Sequence, residues 1–400
     1  MDTAHPKAAR ANAREAVATR IVFFIAGFVL SAWAPLVPYA KSRLGIDDGL
    51  LGLLLLCLGA GSTVGMPAAG ILTTRYGCRS VIVVTAMLAA AVLPVLTLVV
   101  TVESAAIALF AFGIAIGAID VAINVQAVVV ERQSGRALMS GFHGLFSVGG
   151  IAGAGGVSLL LSLAVSSLVA AEGVALVVLM LLAISARHLI TSSGQEGSSG
   201  PLLALPRGPI ILIGALCFIC FLAEGAVLDW SALFLATARG AEPAQAGFGY
   251  AAFAFAMTLG RLTGDRIVTR LGSSRVLRFG GAGAATGFLL AVLTSSKLLA
   301  ILGFMLVGLG ASNIVPVLFS TAGRQTIVPS SHAIAAITTL GYAGVLSGPA
   351  LIGFVSKATN LDVALAVLAV MMLLIPIGSR RLVYIPKAAS ASATSADDLT

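Results

Sequence analysis

Residues 63–79 read Thr-Val-Gly-Met-Pro-Ala-Ala-Gly-Ile-Leu-Thr-Thr-Arg-Tyr-Gly-Cys-Arg, and part of this stretch recurs 195 positions later. The recurring segments are Thr63-Val-Gly65 with Thr258-Leu-Gly260, and Thr74-Arg75-Tyr-Gly77 with Thr269-Arg270-Leu-Gly272. A shift of 197 also aligns Trp33 with Trp230, the only two tryptophans in the chain. These matches predict two consecutive halves of the same topology.

The composition around the repeat is that of a protein embedded in a lipid bilayer. Hydrophobic residues make up 58% of the 400 residues and charged residues only 10%, with a mean hydropathy of +1.05. A soluble domain carries about 25% charged residues, and a membrane-spanning helix needs about 20 apolar residues. The apolar runs predict twelve spans, near 21–40, 48–73, 80–101, 105–130, 137–163, 166–186, 209–236, 245–268, 276–295, 298–322, 332–355 and 362–384.

We therefore predict an all-α membrane protein with 12 transmembrane helices in two six-helix halves. The predicted segments are an N-terminal tail 1–20, a first bundle 21–187, a linker 188–208, a second bundle 209–384 and a C-terminal tail 385–400. The first apolar run is too long for the core of a secretory signal peptide, and eleven further spans follow it. It is interpreted as a retained helix.

The distribution of Lys and Arg predicts the orientation, because positively charged loops stay in the cytoplasm. With the N-terminus inside, 18 of the 24 basic residues fall on the inner side and 5 on the outer side, while Arg261 lies within a span. Both termini are therefore predicted to be cytoplasmic, in the inner (plasma) membrane. The net charge of +8 is explained by these topology signals beside anionic lipid, so no nucleic-acid partner is needed.

The segment Gly70-Ile-Leu-Thr-Thr74-Arg75-Tyr-Gly77-Cys-Arg79 resembles the signature of the major facilitator superfamily between the second and third spans. The resemblance implies a fold of two six-helix bundles, with Arg75 and Arg79 at the inner gate and Arg270 at the repeat-equivalent place. The signature's acidic residue, which helps latch that gate, is replaced by Thr74 and by Thr269 in the second half. We expect a latch that is weaker or built from other groups.

A narrower set of segments is similar to bacterial carriers of the fucose-permease-like branch. These segments are Trp33-Ala34 with Pro38, Asp120-Val-Ala-Ile-Asn124, His143-Gly144-Leu-Phe-Ser147, Glu224-Gly225 leading to Asp229-Trp230, and Gly260-Arg261. The resemblance implies sugar uptake coupled to protons through acidic residues in the first and fourth spans. Asp120 matches the fourth-span position, but residues 21–40 contain no acidic residue. Either Glu224 in the seventh span replaces it, or coupling differs.

Carboxylates predicted near the middle of the bilayer are functional candidates, because placing a charge there costs several kcal/mol. Asp120 and Asn124 continue a helical stripe that begins at Gly113 and Gly117. The stripe suits a helix that packs closely while presenting polar groups to a cavity; a carboxylate that only bonds between helices is the alternative. Glu224 lies at a similar depth in the seventh span.

Three further sets of polar or aromatic side chains complete the candidate site. His143 is interpreted as a proton relay, or alternatively as an ordinary hydrogen-bonding residue. Asp229 and Trp230 are interpreted as an outer-gate or sugar-stacking pair, or alternatively as residues near the interface. With Trp33, Asn124 and Asn313 they form the predicted substrate-binding set.

Arg261 and Asp265 are one helical turn apart in the eighth span, a spacing at which opposite charges can pair. We predict that they contribute to gating, either as a gate ion pair or with Arg261 as an anion clamp for substrate. The remaining alternative is an arginine that reaches back to the membrane surface.

The sequence thus predicts a secondary transporter that moves a small polar solute, such as a sugar or related metabolite, in symport with protons. A proton-linked exporter of amphipathic compounds is the alternative. An enzyme is not expected, because no His-Glu-x-x-His run, Gly-x-Ser-x-Gly elbow or Walker loop occurs. No cofactor or metal is predicted, and the pair Cys217 and Cys220 is interpreted as apolar packing within a helix. The expected partners are the solute, protons and the bilayer, and the protein is expected to be a monomer.

Overall fold

The computed structural model describes residues 6–46, 48–191, 208–241, 247–326 and 328–382. The predicted linker and C-terminal tail therefore lie largely outside the described residues. The helices are α1 Pro6–Ala32, α2 Val37–Leu44, α3 Asp48–Leu96, α4 Val102–Ser134, α5 Met139–Ser162, α6 Ser167–Ser185, α7 Pro209–Ala238, α8 Phe248–Leu271, α9 Ser273–Leu293, α10 Lys297–Ala311, α11 Ile314–Arg324, α12 Ser330–Ala358 and α13 Leu361–Leu382.

Ten helical stretches among the described residues are long and apolar enough to span a membrane. Two features account for the difference between these ten stretches and the twelve predicted spans. The 49-residue α3 enters the ten as a single stretch, although non-helical backbone at Gly77 joins two helices within it. α8 is not among the ten, since it carries four charged residues: Arg261, Asp265, Arg266 and Arg270. The twelve-span topology remains a prediction.

The backbone at two glycines supports the internal repeat independently of the side chains. Gly77 has φ 78° and ψ 160°, and Gly272, which lies 195 positions later, has φ 79° and ψ 153°. Only glycine adopts such a conformation readily. At Gly77 a Cβ atom would also overlap the carbonyl oxygen of Thr191, which follows α6. The same unusual turn therefore joins two helices in each half.

Helices before residue 192 pack mainly on one another, and helices after residue 208 do the same. α3 and α4 form a particularly close pair because glycines face backbone on both sides. A Cβ at Gly113 of α4 would overlap the carbonyl of Leu58, and one at Gly61 of α3 would overlap that of Phe110. Small residues permit such approach between membrane helices. The predicted glycine stripe on α4 thus serves close packing.

α1 begins within the predicted N-terminal tail, at Pro6. We call the end of the bundle that carries Arg132, Arg266 and Arg324 the basic end. It contains the turn between α4 and α5 and the turn between α8 and α9. The opposite end carries Arg43 and Arg239, whose side chains donate to backbone carbonyls at or just beyond the ends of neighbouring helices. The candidate site lies between the two ends.

Candidate functional site

A chain of polar side chains crosses the first half at the level of Asp120. The Asn124 amide nitrogen donates to the backbone oxygen of Asp120 at 2.8 Å and to its carboxylate Oδ1 at 3.3 Å. Asn124 Oδ1 lies 3.1 Å from Nε2 of His143 on α5. Because that amide oxygen is only an acceptor, His143 Nε2 is the donor. The sequence places Asp120 and Asn124 on one face of a helix, and the structure adds His143 to them; the roles of all three remain predictions.

His143 lies between the two halves. Its ring contacts Phe23 of α1 edge-on at 5.3 Å and Phe319 of α11 at 5.7 Å. Phe319 belongs to the second half, so the imidazole touches both bundles. Buried among aromatic rings and held by one amide, His143 fixes the relative position of α4, α5 and α11.

An ion pair lies opposite this polar chain. Arg261 Nη2 on α8 is 3.3 Å from both carboxylate oxygens of Glu224 on α7. The side chains are only 10% and 18% exposed, respectively. Arg261 Nη1 also donates to Ser147 Oγ on α5 at 3.1 Å. Arg261 thus connects Glu224 of its own half with Ser147 of the other half.

The structure corrects the predicted partner of Arg261. Arg261 pairs with Glu224, and Asp265 bonds to α5 instead. A one-turn spacing allows two side chains of a helix to contact each other, but it does not prevent either from bonding to a neighbouring helix instead. Arg261 extends toward the middle of the bundle, whereas Asp265 lies at the basic end. Reaching back to the membrane surface is also excluded, since Arg261 is buried.

A break between α10 and α11 supplies the fourth contact of Arg261. α10 ends at Ala311 and α11 begins at Ile314, so carbonyls at the break lack partners within the helix. Arg261 Nε donates to the carbonyl of Ser312 at 3.4 Å. Asn313 Nδ2 donates to the carbonyl of Gly260 at 3.0 Å. Asn313 therefore contributes to the packing between α8 and α11, while its Oδ1 is buried without a hydrogen-bond partner among the described residues, and its assignment to substrate binding stays a prediction.

The N-terminus of α5 is held at the basic end by two carboxylates from different helices. Asp265 Oδ1 accepts from the backbone N–H of Gly141 at 3.0 Å. Glu131 Oε2, at the end of α4, accepts from the backbone N–H groups of Leu138 and Met139 at 3.0 and 2.9 Å. Carboxylates stabilise a helix N-terminus, where amide groups lack partners and the helix dipole is positive. Asp265 does so from the opposite half, so it closes this end of the bundle.

Further contacts between the halves surround that carboxylate. Glu131 Oε1 forms an ion pair with Arg324 of α11 at 2.9 Å, and Arg132 donates to Ser330 of α12 at 3.3 Å. Thr74 Oγ1 lies 2.6 Å from the hydroxyl of Ser331. Thr74 occupies the place of the expected acidic latch and makes a neutral contact there. The basic end is therefore closed by groups other than the predicted arginines.

Comparison with known proteins decides the family. The sequence model of the Major Facilitator Superfamily matches residues 20–326. An uncharacterized MFS-type transporter of Yersinia pestis is 53% identical over 376 residues, which cover 94% of this chain and 98% of that protein. The chain belongs to the major facilitator superfamily. Members of this superfamily are membrane transporters, so the expectation of a multi-pass membrane transporter is confirmed.

Solved structures of the superfamily show the same fold. A crystal structure of FucP in the outward conformation is similar with a TM-score of 0.77 at 18% identity, and the match covers 92% of this chain and 98% of that chain. A second crystal structure of FucP, described as the E. coli fucose:proton symporter, gives 0.75 at 17% identity with the same coverage. The resemblance to the fucose-permease-like branch is thus supported at the level of fold.

The arginines implied by the superfamily signature make no described contact between the halves. Arg75 and Arg270 are exposed, and the guanidinium of Arg75 lies over the Tyr76 ring at 5.3 Å. Arg79 contributes its backbone N–H to the carbonyl of Ile190 at 3.0 Å. Their gating role remains a prediction for another state of the transporter.

The two tryptophans form no hydrogen bonds with the polar side chains described above. Both indole nitrogens are buried without a hydrogen-bond partner among the described residues. Trp230 packs beside Gly353 of α12, while the neighbouring Asp229 is exposed and has no described partner. An indole N–H without a partner is a donor available to a polar ligand. The assignment of Trp33, Trp230 and Asp229 to substrate binding stays a prediction.

Three residues of the site were missed from sequence. Glu131 and Arg324 form the ion pair across the halves, and Ser147 accepts a hydrogen bond from Arg261. Glu131 was recognisable as an acidic residue at the end of a span, beside the basic Arg132. The others carry no signal in sequence, since their partners are far away along the chain.

Cys217 and Cys220 are buried, unpaired residues of α7. Cys220 Sγ lies 3.6 Å from Glu224 Oε1, which is an ordinary contact across one helical turn. Within the described part of the chain, no group of His, Cys, Asp and Glu residues is arranged to hold a metal ion.

Proposed function

We propose that this transporter moves a small polar solute together with protons, by alternating access across the inner membrane. The twelve spans, the two six-helix halves and the cytoplasmic placement of both termini belong to the same proposal. The observation that carries it is the junction of two polar clusters between the halves: Asp120, Asn124 and His143 on one side, and Glu224 with Arg261 on the other. Ionisable groups in the middle of a membrane protein mark the path of a substrate or ion.

The two carboxylates are suited to different tasks. The charge of Glu224 is neutralised by Arg261. The carboxylate of Asp120 accepts a hydrogen bond from the Asn124 amide and has no cation beside it among the described side chains. Its charge can therefore be compensated by a proton or by a group of the solute. We assign the coupling proton to Asp120, and we assign to Glu224 the task of holding Arg261 until the solute competes for it. His143 positions Asn124.

The closed basic end supplies the conformational part of the proposal. Among the side chains that the structure describes, the hydrogen bonds between halves lie at the basic end or at the level of Arg261. With the basic end in the cytoplasm, we assign this arrangement to the outward-facing state of the cycle. That state binds solute and proton from outside, and breaking the basic-end contacts releases them inside. FucP, a fucose:proton symporter by its description, shares the fold and supports a polar solute over an amphipathic one.

Transport in proteoliposomes tests the proposal once a solute has been found by thermal-shift screening against sugars and organic acids. Asp120→Asn fixes the neutral form, so it should still exchange solute across the membrane while losing accumulation driven by a pH gradient. Asn124→Ala should weaken solute binding about tenfold, by loss of one or two hydrogen bonds, and retain coupling. Asn360→Ala, at the opposite end of the bundle, is the matched control. Full pH-driven accumulation by both Asp120→Asn and Glu224→Gln would refute proton coupling through these groups.

A further inference from the structure

A cavity of about 950 Å³ opens at the basic end, away from the polar clusters around Asp120 and Glu224. It lies between the turn that joins α4 to α5 and the helices α8, α9, α11 and α13. Six arginines line it: Arg136, Arg266, Arg270, Arg275, Arg278 and Arg324. The only carboxylate among its lining residues is Asp265. The cavity therefore carries a large excess of positive charge.

Most of this charge is not compensated within the described part of the protein. Arg324 pairs with Glu131, and Arg278 donates to the hydroxyl of Ser274 at 2.9 Å. The Asp265 carboxylate is already engaged by the N-terminus of α5. No described carboxylate pairs with Arg270 or Arg275. Basic residues that serve only to set the membrane topology would be spread over the surface, whereas these guanidinium groups surround one concave space.

The N-terminus of α9 adds a second feature that favours an anion. α9 starts at Ser273 after Gly272, and no side chain caps it. Its first residues, Ser273, Ser274 and Arg275, all line the cavity. Uncapped N–H groups and the positive end of the helix dipole bind anions, phosphate above all. The 21 residues of this helix give it a full dipole.

We propose that this cavity binds a phosphate-bearing polyanion, either a soluble di- or triphosphate group or the headgroup of an anionic phospholipid. Guanidinium groups form paired hydrogen bonds with phosphate oxygens, and the volume exceeds what one phosphate requires. Arg136 comes from the first half, whereas the remaining five arginines come from the second. A bound polyanion therefore links the two halves and stabilises the closed basic end, which makes it a regulator distinct from the transported solute.

Thermal unfolding of the purified, delipidated full-length protein tests the site without any transported solute, so the result does not depend on the proposed function. One titration uses inorganic pyrophosphate, with sodium sulfate at equal ionic strength as its control. The other uses short-chain phosphatidylglycerol in mixed micelles, with phosphatidylcholine as its control. A ligand that binds the folded protein raises its unfolding temperature. Stabilisation by pyrophosphate identifies a soluble ligand, and stabilisation by phosphatidylglycerol alone identifies a lipid headgroup.

Two variants locate the binding within the cavity. The double substitution Arg270→Gln with Arg275→Gln should weaken binding by about tenfold or more, since each lost charged hydrogen bond contributes substantially. Ser274→Asp should abolish binding while preserving the fold, because an acidic residue stabilises the first turn of α9. Arg187→Gln, an exposed basic residue outside the cavity, should bind as the wild type does. The proposal is overturned if neither anion exceeds its control, or if Ser274→Asp responds like the wild type.

Discussion

Asp265 on α8 and Gly141 on α5 are joined by a hydrogen bond of 3.0 Å that runs from one half of the transporter to the other. The backbone N–H of Gly141 is the donor, and the absence of a side chain at Gly141 is what allows the carboxylate to approach, since a Cβ there would overlap Asp265 Oδ2. The contact therefore depends on both residue types. It also explains how the basic end is closed although Thr74 and Thr269 replace the usual acidic residue.

The first prediction concerns this contact. Asp265→Asn keeps the side-chain volume and removes the charge that α5 stabilises, a loss of about 1 kcal/mol. The basic end should open about fivefold more often. The measurement is the alkylation rate of Ser140→Cys, a buried position beside Gly141, from the basic end after replacement of the four native cysteines. Asp362→Asn, whose carboxylate pairs with Arg239 at the opposite end, is the control, and equal rates in both variants would contradict the assignment.

The second prediction concerns the ion pair of Glu224 and Arg261. Removing one partner leaves a largely desolvated charge, so Glu224→Gln and Arg261→Gln should each destabilise the protein. The double substitution should destabilise it by less than the sum of the two single effects. A double-mutant cycle on thermal unfolding in detergent should give a coupling free energy of about 1 to 3 kcal/mol. The pair Arg239 and Asp362 provides a second cycle with a more exposed carboxylate and should give a smaller value. Additive effects of the two substitutions on stability would show that the side chains of Glu224 and Arg261 do not interact in the folded protein.

The third prediction concerns the close approach of α3 and α4. Gly113→Ala places a methyl group against the carbonyl of Leu58, which forces the helices apart and should cost about 1 to 3 kcal/mol of stability. Gly155→Ala on α5 is the matched control, because no atom lies within 4 Å of a Cβ at that position. We expect it to leave the unfolding temperature unchanged or raise it slightly, since alanine favours the helix. Equal stability of the two variants would refute the packing argument.

The fourth prediction concerns orientation. Ser274→Cys at the basic end should react with a membrane-impermeant maleimide only from the cytoplasm, and Glu103→Cys at the opposite end only from outside. The reason is the unequal distribution of Lys and Arg, 18 against 5, which retains basic loops in the cytoplasm. Labelling of intact cells and of inside-out vesicles distinguishes the two sides. Reaction of Ser274→Cys in intact cells would reverse the topology and, with it, the assignment of the open side.

Much of the fold could be predicted because its determinants are local. Apolar runs of sufficient length locate helices, and the repeated Thr-Arg-x-Gly segment corresponds to the matching backbone turns at Gly77 and Gly272. The sequence also placed Asp120 and Asn124 on one helical face, but it gave no sign that His143 would join them. The count of twelve spans stays a prediction, although the turn at Gly77 divides α3 into two helices.

The contacts between helices could not be predicted, because they join residues far apart in the chain. Arg261 and Asp265 looked like a pair in sequence, yet their partners Glu224 and Gly141 lie 37 and 124 positions away. The sequence predicted a latch that is weaker or built from other groups, because Thr74 and its repeat equivalent Thr269 replace the acidic residue of the signature. The acidic residue in the structure lies one turn before Thr269, at Asp265, which the 195-residue shift aligns with Gly70. A sequence pattern that locates the helices does not determine which side chains contact each other between those helices.

The two faces that close the basic end are unequal. Asp265 of α8 meets the start of α5 through a charged hydrogen bond, whereas the contact that α3 makes with the start of α12 is the neutral one between Thr74 and Ser331, and the atoms nearest to a Cβ at Gly70 would belong to Ala335 and Ser331. We expect spin labels spanning α3 and α12 to record larger excursions than labels spanning α8 and α5; equal excursions would contradict this. The contact between α3 and α12 should then part first, while Asp265 still holds α8 against the start of α5, so this end of the bundle should open from one side.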